Sequence, residues 1–328
     1  MVDNKLESDA DFEIVVTQED CDEFKRFDVY LAQKFPQFSR STLKRMFESE
    51  DITSETTTLQ LKRMPPVGTK IDIEVPPPIP SNLTPENIPL DILFEDEHLI
   101  IINKPAGLVV HPAPGHYTGT LVNAILYHCG DLKGIGAEKR PGIVHRLDMG
   151  TSGVMVVAKD QATHEGLAAL FAIHDIERKY EAIVIGQPRQ LTGTITGTIG
   201  RHPTNRLKMM AEAKNGKKAV THYKVLKKFA NFTHIELKLE TGRTHQIRVH
   251  MSQVLMTPIA CDPVYSSSDS HLKKMPESIR KAVLEYPYQL LHAKELGFIH
   301  PITKQALHFE VAPPEIFQAA LLALTENK

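Results

Sequence analysis

The stretch Gly142-Ile143-Val144-His145-Arg146-Leu147-Asp148-Met149-Gly150-Thr151-Ser152-Gly153-Val154-Met155-Val156-Val157-Ala158-Lys159 decides how the chain is read. It reads as strand, polar turn, strand. The run Val154 to Ala158 has the composition of a buried strand, and Gly150, Thr151, Ser152 and Gly153 before it are turn chemistry. On the turn sits one acid, Asp148, with Arg146 two residues earlier and His145 before that. Binding and catalytic groups gather on loops held by rigid strands. A carboxylate beside a base is also a common surface pair, so the stretch alone leaves both readings open.

Length and composition narrow the class. With 328 residues, 41% of them hydrophobic, the chain holds one large domain plus a small one. No apolar run approaches a membrane span, and the start, Met1-Val2-Asp3-Asn4-Lys5, lacks an apolar secretory core. Cys21, Cys129 and Cys261 lie far apart without Cys-x-x-Cys spacing, which argues against a disulfide framework and a thiolate zinc site. The expected location is a reducing cytoplasm.

The net charge of −2 hides an asymmetry. Residues 1–23 carry nine acids against Lys5 alone, a balance of −8 that leaves the rest of the chain at +6. Residues 201–228 carry nine Lys or Arg, among them Arg201, Arg206 and Lys208, against Glu212 alone. Such a face suits a polyanion such as nucleic acid, and it equally fits a solvated strand pair.

Taken in order, residues 1–23 read as an acidic tail in which Phe12 to Val16 has room for a short strand. Residues 24–76 form a compact unit, with one helix through Phe24, Phe27, Val29, Leu31 and Phe35 and a second through Leu43, Met46 and Phe47. Ser39 or Ser41 caps the second helix, and Ile71, Ile73 and Val75 alternate as a strand. This unit is similar to an S4 domain, a small RNA-binding module, in which Arg40, Lys44 and Arg45 would line one helix face toward phosphates. Where S4 domains usually carry Gly and an Asn-Gly turn, this chain has Glu50-Asp51-Ile52-Thr53-Ser54-Glu55. Prolines 76, 77, 78, 80, 85 and 89 mark residues 77–89 as a stiff linker. The second domain runs over 90–328.

Within it, Ile92 to Glu95 and Leu99 to Lys104 read as strands around an acidic turn, and Thr120 to His128 as a helix. A further helix runs through Leu167, Leu170 and Phe171, and Lys179 to Gly186 alternates as a strand. Residues 219–226 and 232–240 form a hairpin in a largely antiparallel sheet. Gly242-Arg243-Thr244 is a loop entering a helix through Ile247, Met251, Val254 and Leu255, whose N-terminal amides favour anions. His245 and His250 suggest a metal pair, but their spacing does not share a helix face and no thiolate supports them. No P-loop or dinucleotide fingerprint is present.

The motif His145-Arg146-Leu147-Asp148 followed by Thr151-Ser152-Gly153 resembles the catalytic motif of the RluA/RluD family of RNA pseudouridine synthases. So do Asn103-Lys104-Pro105 with Val110-His111-Pro112, Lys179-Tyr180, Gly242-Arg243-Thr244-His245-Gln246-Ile247-Arg248, Pro258 to Tyr265, and Leu291-His292-Ala293 with His300-Pro301. Cys261 and Ser266 stand where the family usually has Gly, and residues 267–289 look like a variable insertion. The closest resemblance is to the branch that modifies large-subunit ribosomal RNA.

The resemblance implies an α+β catalytic domain on a long mixed, mainly antiparallel sheet, with the S4-like module before it. It implies isomerisation of uridine to pseudouridine: the C1′–N1 bond breaks, the base turns while bound, and C5 bonds to C1′. No cofactor or metal is required. Asp148 would attack a carbon or remove a sugar proton, and the sequence leaves both open. Arg243 would pair with Asp148 and keep it ionised, and Tyr180 would support the base, with relay of the C5 proton as a second role open to it. Arg146 would hold the gap or the phosphate left when the nucleotide leaves its stack. His245, Gln246 and Arg248 would join Arg201, Arg206 and Lys208 on the RNA. The implied partner is a stem-loop of large-subunit ribosomal RNA, free or in a pre-ribosomal particle, bound by a monomer. Rival readings are the same chemistry on other large-subunit ribosomal RNA sites or on transfer RNA, a non-catalytic RNA-binding protein, which would have lost Asp148, Tyr180 or Arg243, and a metal hydrolase using the histidines.

Overall fold

The computed structural model describes residues 12–35, 40–74, 83–113, 115–130, 132, 135, 141–266 and 272–326. The chain divides into two compact units, Met1–Asn82 and Leu83–Lys328.

In the first unit, β1 (Phe12–Val15), α1 (Gln18–Glu23), α2 (Phe27–Lys34), α3 (Arg40–Glu48), β2 (Ile52–Thr53) and β3 (Lys70–Ile73) follow one another. The strands pair in the order β1-β3-β2. Phe27, Tyr30, Leu31, Met46, Ile71 and Ile73 are buried together beneath them. The acidic segment is therefore folded from Phe12 onward, against the expectation of a tail through residue 23. The reason is local. Thr17 and Asp20 form a capping box that starts α1, and Asp20, buried, also takes Lys34 at 3.2 Å and the Tyr30 hydroxyl at 3.4 Å. A composition count treats Asp20 like the exposed Glu19, Asp22 and Glu23 because it ignores its partners. Phe24 closes α1 instead of opening α2. Ser39, the side chains of Ser41, Arg40 and Arg45, and residues 77–82 of the linker lie outside the described residues.

Residues 83–89 are part of the second unit, not linker. Leu83 and Leu90 pack on its main core, and the Asn123 amide donates to the Thr84 carbonyl at 2.8 Å. The chain continues through β4 (Ile92–Glu95), β5 (Leu99–Lys104), α4 (Leu121–Cys129), β6 (Ser152–Ala158), α5 (Gln161–Ala172), β7 (Glu177–Ile185), β8 (Thr192–Arg201), β9 (Met209–Ala211), β10 (Lys217–Lys228) and β11 (Phe232–Leu239). After these come α6 (Gln246–Val249), α7 (Glu277–Glu285), β12 (Leu291–Ile299), β13 (Ala306–Glu310) and α8 (Glu315–Glu326). The ten strands form one sheet in the order β4-β5-β6-β12-β7-β11-β10-β8-β9, with β13 paired to β12. Only β6 and β12 run parallel among the described pairs, so the sheet is mixed and mainly antiparallel, and the domain is α+β.

Parallel pairing of β6 with β12 brings the backbone at Gly153 against the Ala293 carbonyl, where a Cβ would collide. Gly153 also has φ +116, open only to glycine at little cost. The strand expected before the Asp148 turn is absent. Ile143 makes a single bridge to Val157, and the chain from there to Thr151 is loop. Within the segment read as an insertion, Glu277–Glu285 folds as α7, whose Ile279 and Val283 pack with Phe317 and Ala320 of α8.

Candidate active site

The loop carrying Asp148 is fixed from beneath by a buried lysine. Lys104, at the end of β5 and wholly buried, donates to the carbonyls of Pro105 at 2.7 Å, Leu108 at 2.9 Å and Met149 at 3.1 Å. Three ammonium protons meet three carbonyls, so the group is satisfied without a carboxylate in contact. Burial pulls its pKa down to about 7, with the nearby Asp148 charge working the other way. The Thr151 amide closes the turn on the Asp148 carbonyl at 3.0 Å, and Gln289 donates to the Thr151 hydroxyl at 2.9 Å.

Above this turn one guanidinium joins two carboxylates. Arg248 of α6 donates from Nε and Nη2 to both oxygens of Asp262, at 2.8 and 2.9 Å, and from Nη1 to Asp148 Oδ2 at 2.9 Å. Asp262 also accepts the amides of Val264 and Tyr265 at 2.9 and 3.1 Å. Burial alone would raise the Asp148 pKa, yet the flanking His245 ring together with the charge and hydrogen bond of Arg248 outweighs it and holds the pKa below the usual carboxylate value. Burial equally opposes charge on Arg248, and Asp262 and Asp148 more than compensate, so its pKa is raised. Asp148 is thus an ionised carboxylate in a low-dielectric wall. Its Oδ2 is engaged; Oδ1 accepts no hydrogen bond from the described residues.

His245 flanks the pair. It adopts a left-handed backbone, φ 56, and its Nε2 lies 4.0 Å from Asp148 Oδ2. Its Nδ1 is 2.8 Å from the Tyr265 hydroxyl, whose oxygen accepts the Met209 amide at 2.7 Å. The hydroxyl proton therefore goes to Nδ1, because the alternative acceptor, the Met209 carbonyl, is 3.4 Å away. Burial keeps the imidazole neutral by lowering its pKa, and its own proton sits on Nε2, toward Asp148. Tyr265→Phe should release that tautomer and lower turnover about tenfold with little change in RNA affinity. Single-turnover rates beside binding titrations check this, and equal losses in both would mean a general disturbance of the site.

Asp148 opens on a cleft of about 510 Å³, with Tyr180, Phe171, Arg178, Arg243 and His245 among its walls. Tyr180 projects from β7, mostly buried, and burial raises its phenol pKa, so the hydroxyl stays protonated. The arrangement offers an ionised carboxylate, an aromatic wall and a cationic rim around a space of nucleoside size.

Comparison with known proteins gives this geometry its family. The RNA pseudouridylate synthase family matches residues 98–253. The chain is 41% identical to a Synechocystis protein named as an uncharacterized RNA pseudouridine synthase, over 100% of this chain and 98% of that one. It is 46% identical to ribosomal large subunit pseudouridine synthase D of Zymomonas mobilis, over 89% of this chain and 92% of that one. The chain belongs to the RNA pseudouridine synthase family. Among solved structures, human RNA pseudouridylate synthase domain containing 4 aligns with a TM-score of 0.53 at 29% identity, over 71% of this chain and 92% of that one.

Within this pseudouridine synthase the structure redistributes the residues expected from sequence. Asp148, Tyr180, Arg146 and Arg243 do line one cleft. Arg243, expected on Asp148, instead donates from Nε to the Lys218 carbonyl at 2.9 Å, and Arg248 takes the carboxylate. The reason is the short α6, whose residue Arg248 faces inward while the preceding loop faces out. Gln246, expected on RNA, is buried; it accepts from Thr241 and the Arg243 amide at 2.7 and 3.0 Å and donates to Val220 and Thr221 at 3.0 and 2.9 Å. The Arg243 amide is consequently not open to an anion, as the helix-terminus reading required. Arg248 is likewise internal, with every nitrogen on a carboxylate.

Arg201, Arg206 and Lys208 do not line the cleft. They sit at the β8–β9 hairpin, Arg201 and Arg206 exposed and Lys208 half-buried. The base of that hairpin is tied to the site, since Met209 holds Tyr265 and the Ala211 amide donates to Gln253 at 2.9 Å. Sequence reasoning passed over Lys104 and Asp262. The signal was present in Asn103-Lys104-Pro105 and in Cys261-Asp262-Pro263, read only as motif text. Elsewhere Glu95, His128 and Cys129 bring three ligand-type atoms within 4.8 Å. Lys159 and His128 already engage the two Glu95 oxygens at 2.7 Å each, and burial raises the Cys129 pKa.

Proposed function

We propose that this enzyme isomerises uridines to pseudouridine in large-subunit ribosomal RNA, with Asp148 as the reacting carboxylate. One observation carries the reading: an Asp148 held ionised, anchored through Oδ2 to Arg248 and with no hydrogen bond to Oδ1 from the described residues, lines a cleft of nucleoside size. Either attack on a sugar carbon or removal of a sugar proton uses that oxygen. The C1′–N1 bond breaks, the base turns against Tyr180, C5 bonds to C1′, and the proton lost from C5 is matched by one gained at N1. The isomerisation involves no change of oxidation state overall and needs no cofactor. Arg146 and Arg243 act on the RNA at the cleft, and Arg201, Arg206 and Lys208 extend the cationic surface along the hairpin. The ribosomal target rests on the name of the Zymomonas mobilis relative. Three free cysteines suit a reducing cytoplasm, where the enzyme acts as a monomer on RNA or a pre-ribosomal particle. Carbodiimide treatment and primer extension on ribosomal RNA from a strain lacking this protein test the target. Survival of every large-subunit pseudouridine, with loss of a transfer RNA site, would remove it.

Tyr180→Phe keeps the ring and deletes the hydroxyl. If the phenol relays the C5 proton, turnover falls by about 10²-fold or more while RNA affinity holds; full activity leaves Tyr180 a packing role against the base. The first unit, two helices and α3 with its exposed Lys44 beside a three-stranded sheet, acts as the S4-like RNA module. Removing residues 1–82 should leave the same uridines modified, with weaker binding and a shallower salt dependence. An unchanged salt slope would take the module off the RNA.

A further inference from the structure

Arg178 is a buried cation that the chemistry above leaves without a task. It lies on β7 two residues before Tyr180, is 6% exposed, and lines the cleft. Nη2 donates to the Glu240 carbonyl at 2.9 Å. Nε is enclosed without an acceptor, and Nη1 donates to none of the described residues. No carboxylate among the described residues lies within 4.0 Å of it, in contrast to Arg248, which holds two. Its compensation is the Phe171 ring, 5.3 Å from Cζ, and one carbonyl. A guanidinium so desolvated ordinarily has a counter-ion, because an unpaired buried charge is costly.

The surroundings leave room for one. Gly242 faces Nη1 so closely that a Cβ there would sit 3.0 Å away, so glycine keeps the space beside the nitrogen open. Four arginines line the cleft, Arg146, Arg178, Arg243 and Arg248, against the single carboxylate Asp148. Arg248 is already neutralised by its two aspartates, whereas Arg178, beside Tyr180, has no carboxylate from the described residues in reach.

We propose that Arg178 forms a phosphodiester subsite, Nη1 binding the phosphate next to the uridine whose base enters the cleft. This rests on the RNA pseudouridine synthase reading and adds to it a contact that fixes the target nucleotide rather than the RNA at large. Charge-assisted hydrogen bonds to phosphate exceed neutral ones by about a factor of two in strength, and one inside a desolvated cleft sets register without reading the base.

The test uses the full chain and an RNA stem-loop that it modifies, remade with a neutral methylphosphonate at each linkage around the target uridine in turn. For the wild type, one flanking linkage should weaken binding by about tenfold or more when neutralised. For Arg178→Gln, the all-phosphate RNA should bind weaker by a similar factor, that same linkage should now cost nothing further, and the salt slope should fall by about one phosphate's share, roughly 0.7 to 0.9. Arg178→Lys should keep the linkage effect in part. A flat scan for the wild type overturns the subsite without any variant. An undiminished linkage cost in Arg178→Gln, or in Arg178→Met if Gln does not fold, reduces Arg178 to a support for the Glu240 loop. Tritium release by the wild type, followed alongside, reports separately on the synthase reading.

Discussion

Asp148→Asn should yield a folded protein that binds RNA and makes no pseudouridine. The side chain keeps its shape, and Arg248 keeps both oxygens of Asp262, so no buried cation is orphaned. What disappears is the charge on Oδ1, and an amide neither attacks carbon nor takes a proton there. Removing the group that reacts typically costs on the order of 10⁴-fold or more in turnover. Tritium release from C5-labelled uridine RNA measures it, with binding followed on the same RNA. A near-wild-type rate would end the assignment. The charge state also gives a pH expectation. In the fold the Asp148 pKa is depressed below 3.8, so the ionised form is the favoured one. Its contribution to stability is complete above the unfolded value near about 3.9 and vanishes as pH falls through the lower folded value. A decline of turnover between about pH 7 and 5 would therefore have to come from another group than Asp148.

How much of this was legible depends on which contacts the sequence encodes locally. Asp148, Tyr180 and the loop 242–244 converge as the motifs imply, since β6, β7 and the end of β11 lie near one another across β12. Period-two runs picked out β7, β10 and β11 because each carries a buried stretch, Tyr180 to Ile185 in β7, Ala219 to Thr221 in β10 and alternate positions from Phe232 to Leu239 in β11. The arginine was misassigned for a physical reason. Arg243 and Arg248 carry the same group five residues apart, and only the left-handed turn at His245, followed by the short α6, decides which one faces inward. That turn is a backbone event at a non-glycine residue, with no residue-type signature. Lys104 was invisible as a site residue because its partners are main-chain carbonyls, which every residue owns. The tail boundary failed for the opposite reason: composition averaged over residues 1–23 diluted one capping box.

Arg248→Lys should be the most damaging conservative change in the protein, and Arg243→Lys a mild one. A guanidinium offers Asp262 a two-pronged bond and Asp148 a third contact in fixed directions; an ammonium at that position reaches one carboxylate well. The other is left buried without its partner. Breaking a buried pair in this way costs up to about 3–5 kcal/mol, and for a unit of this size a shift in Tm of roughly 2–4 °C per kcal/mol. Turnover should fall with it. Burial, which by itself raises the Asp148 pKa, would no longer be offset by Arg248. The ionised form would then be lost at higher pH than in the wild type, so an acid limb should appear where the wild type has none. Arg243 has its Nε on the Lys218 carbonyl and its amide on Gln246, so its lysine variant should keep kcat and Tm and weaken RNA binding alone. Thermal melts, single-turnover rates from about pH 5 to 8 and binding titrations on the two variants separate these outcomes. If Arg243→Lys were the inactive protein and Arg248→Lys the active one, the clamp between Asp148 and Asp262 would lose its place in catalysis.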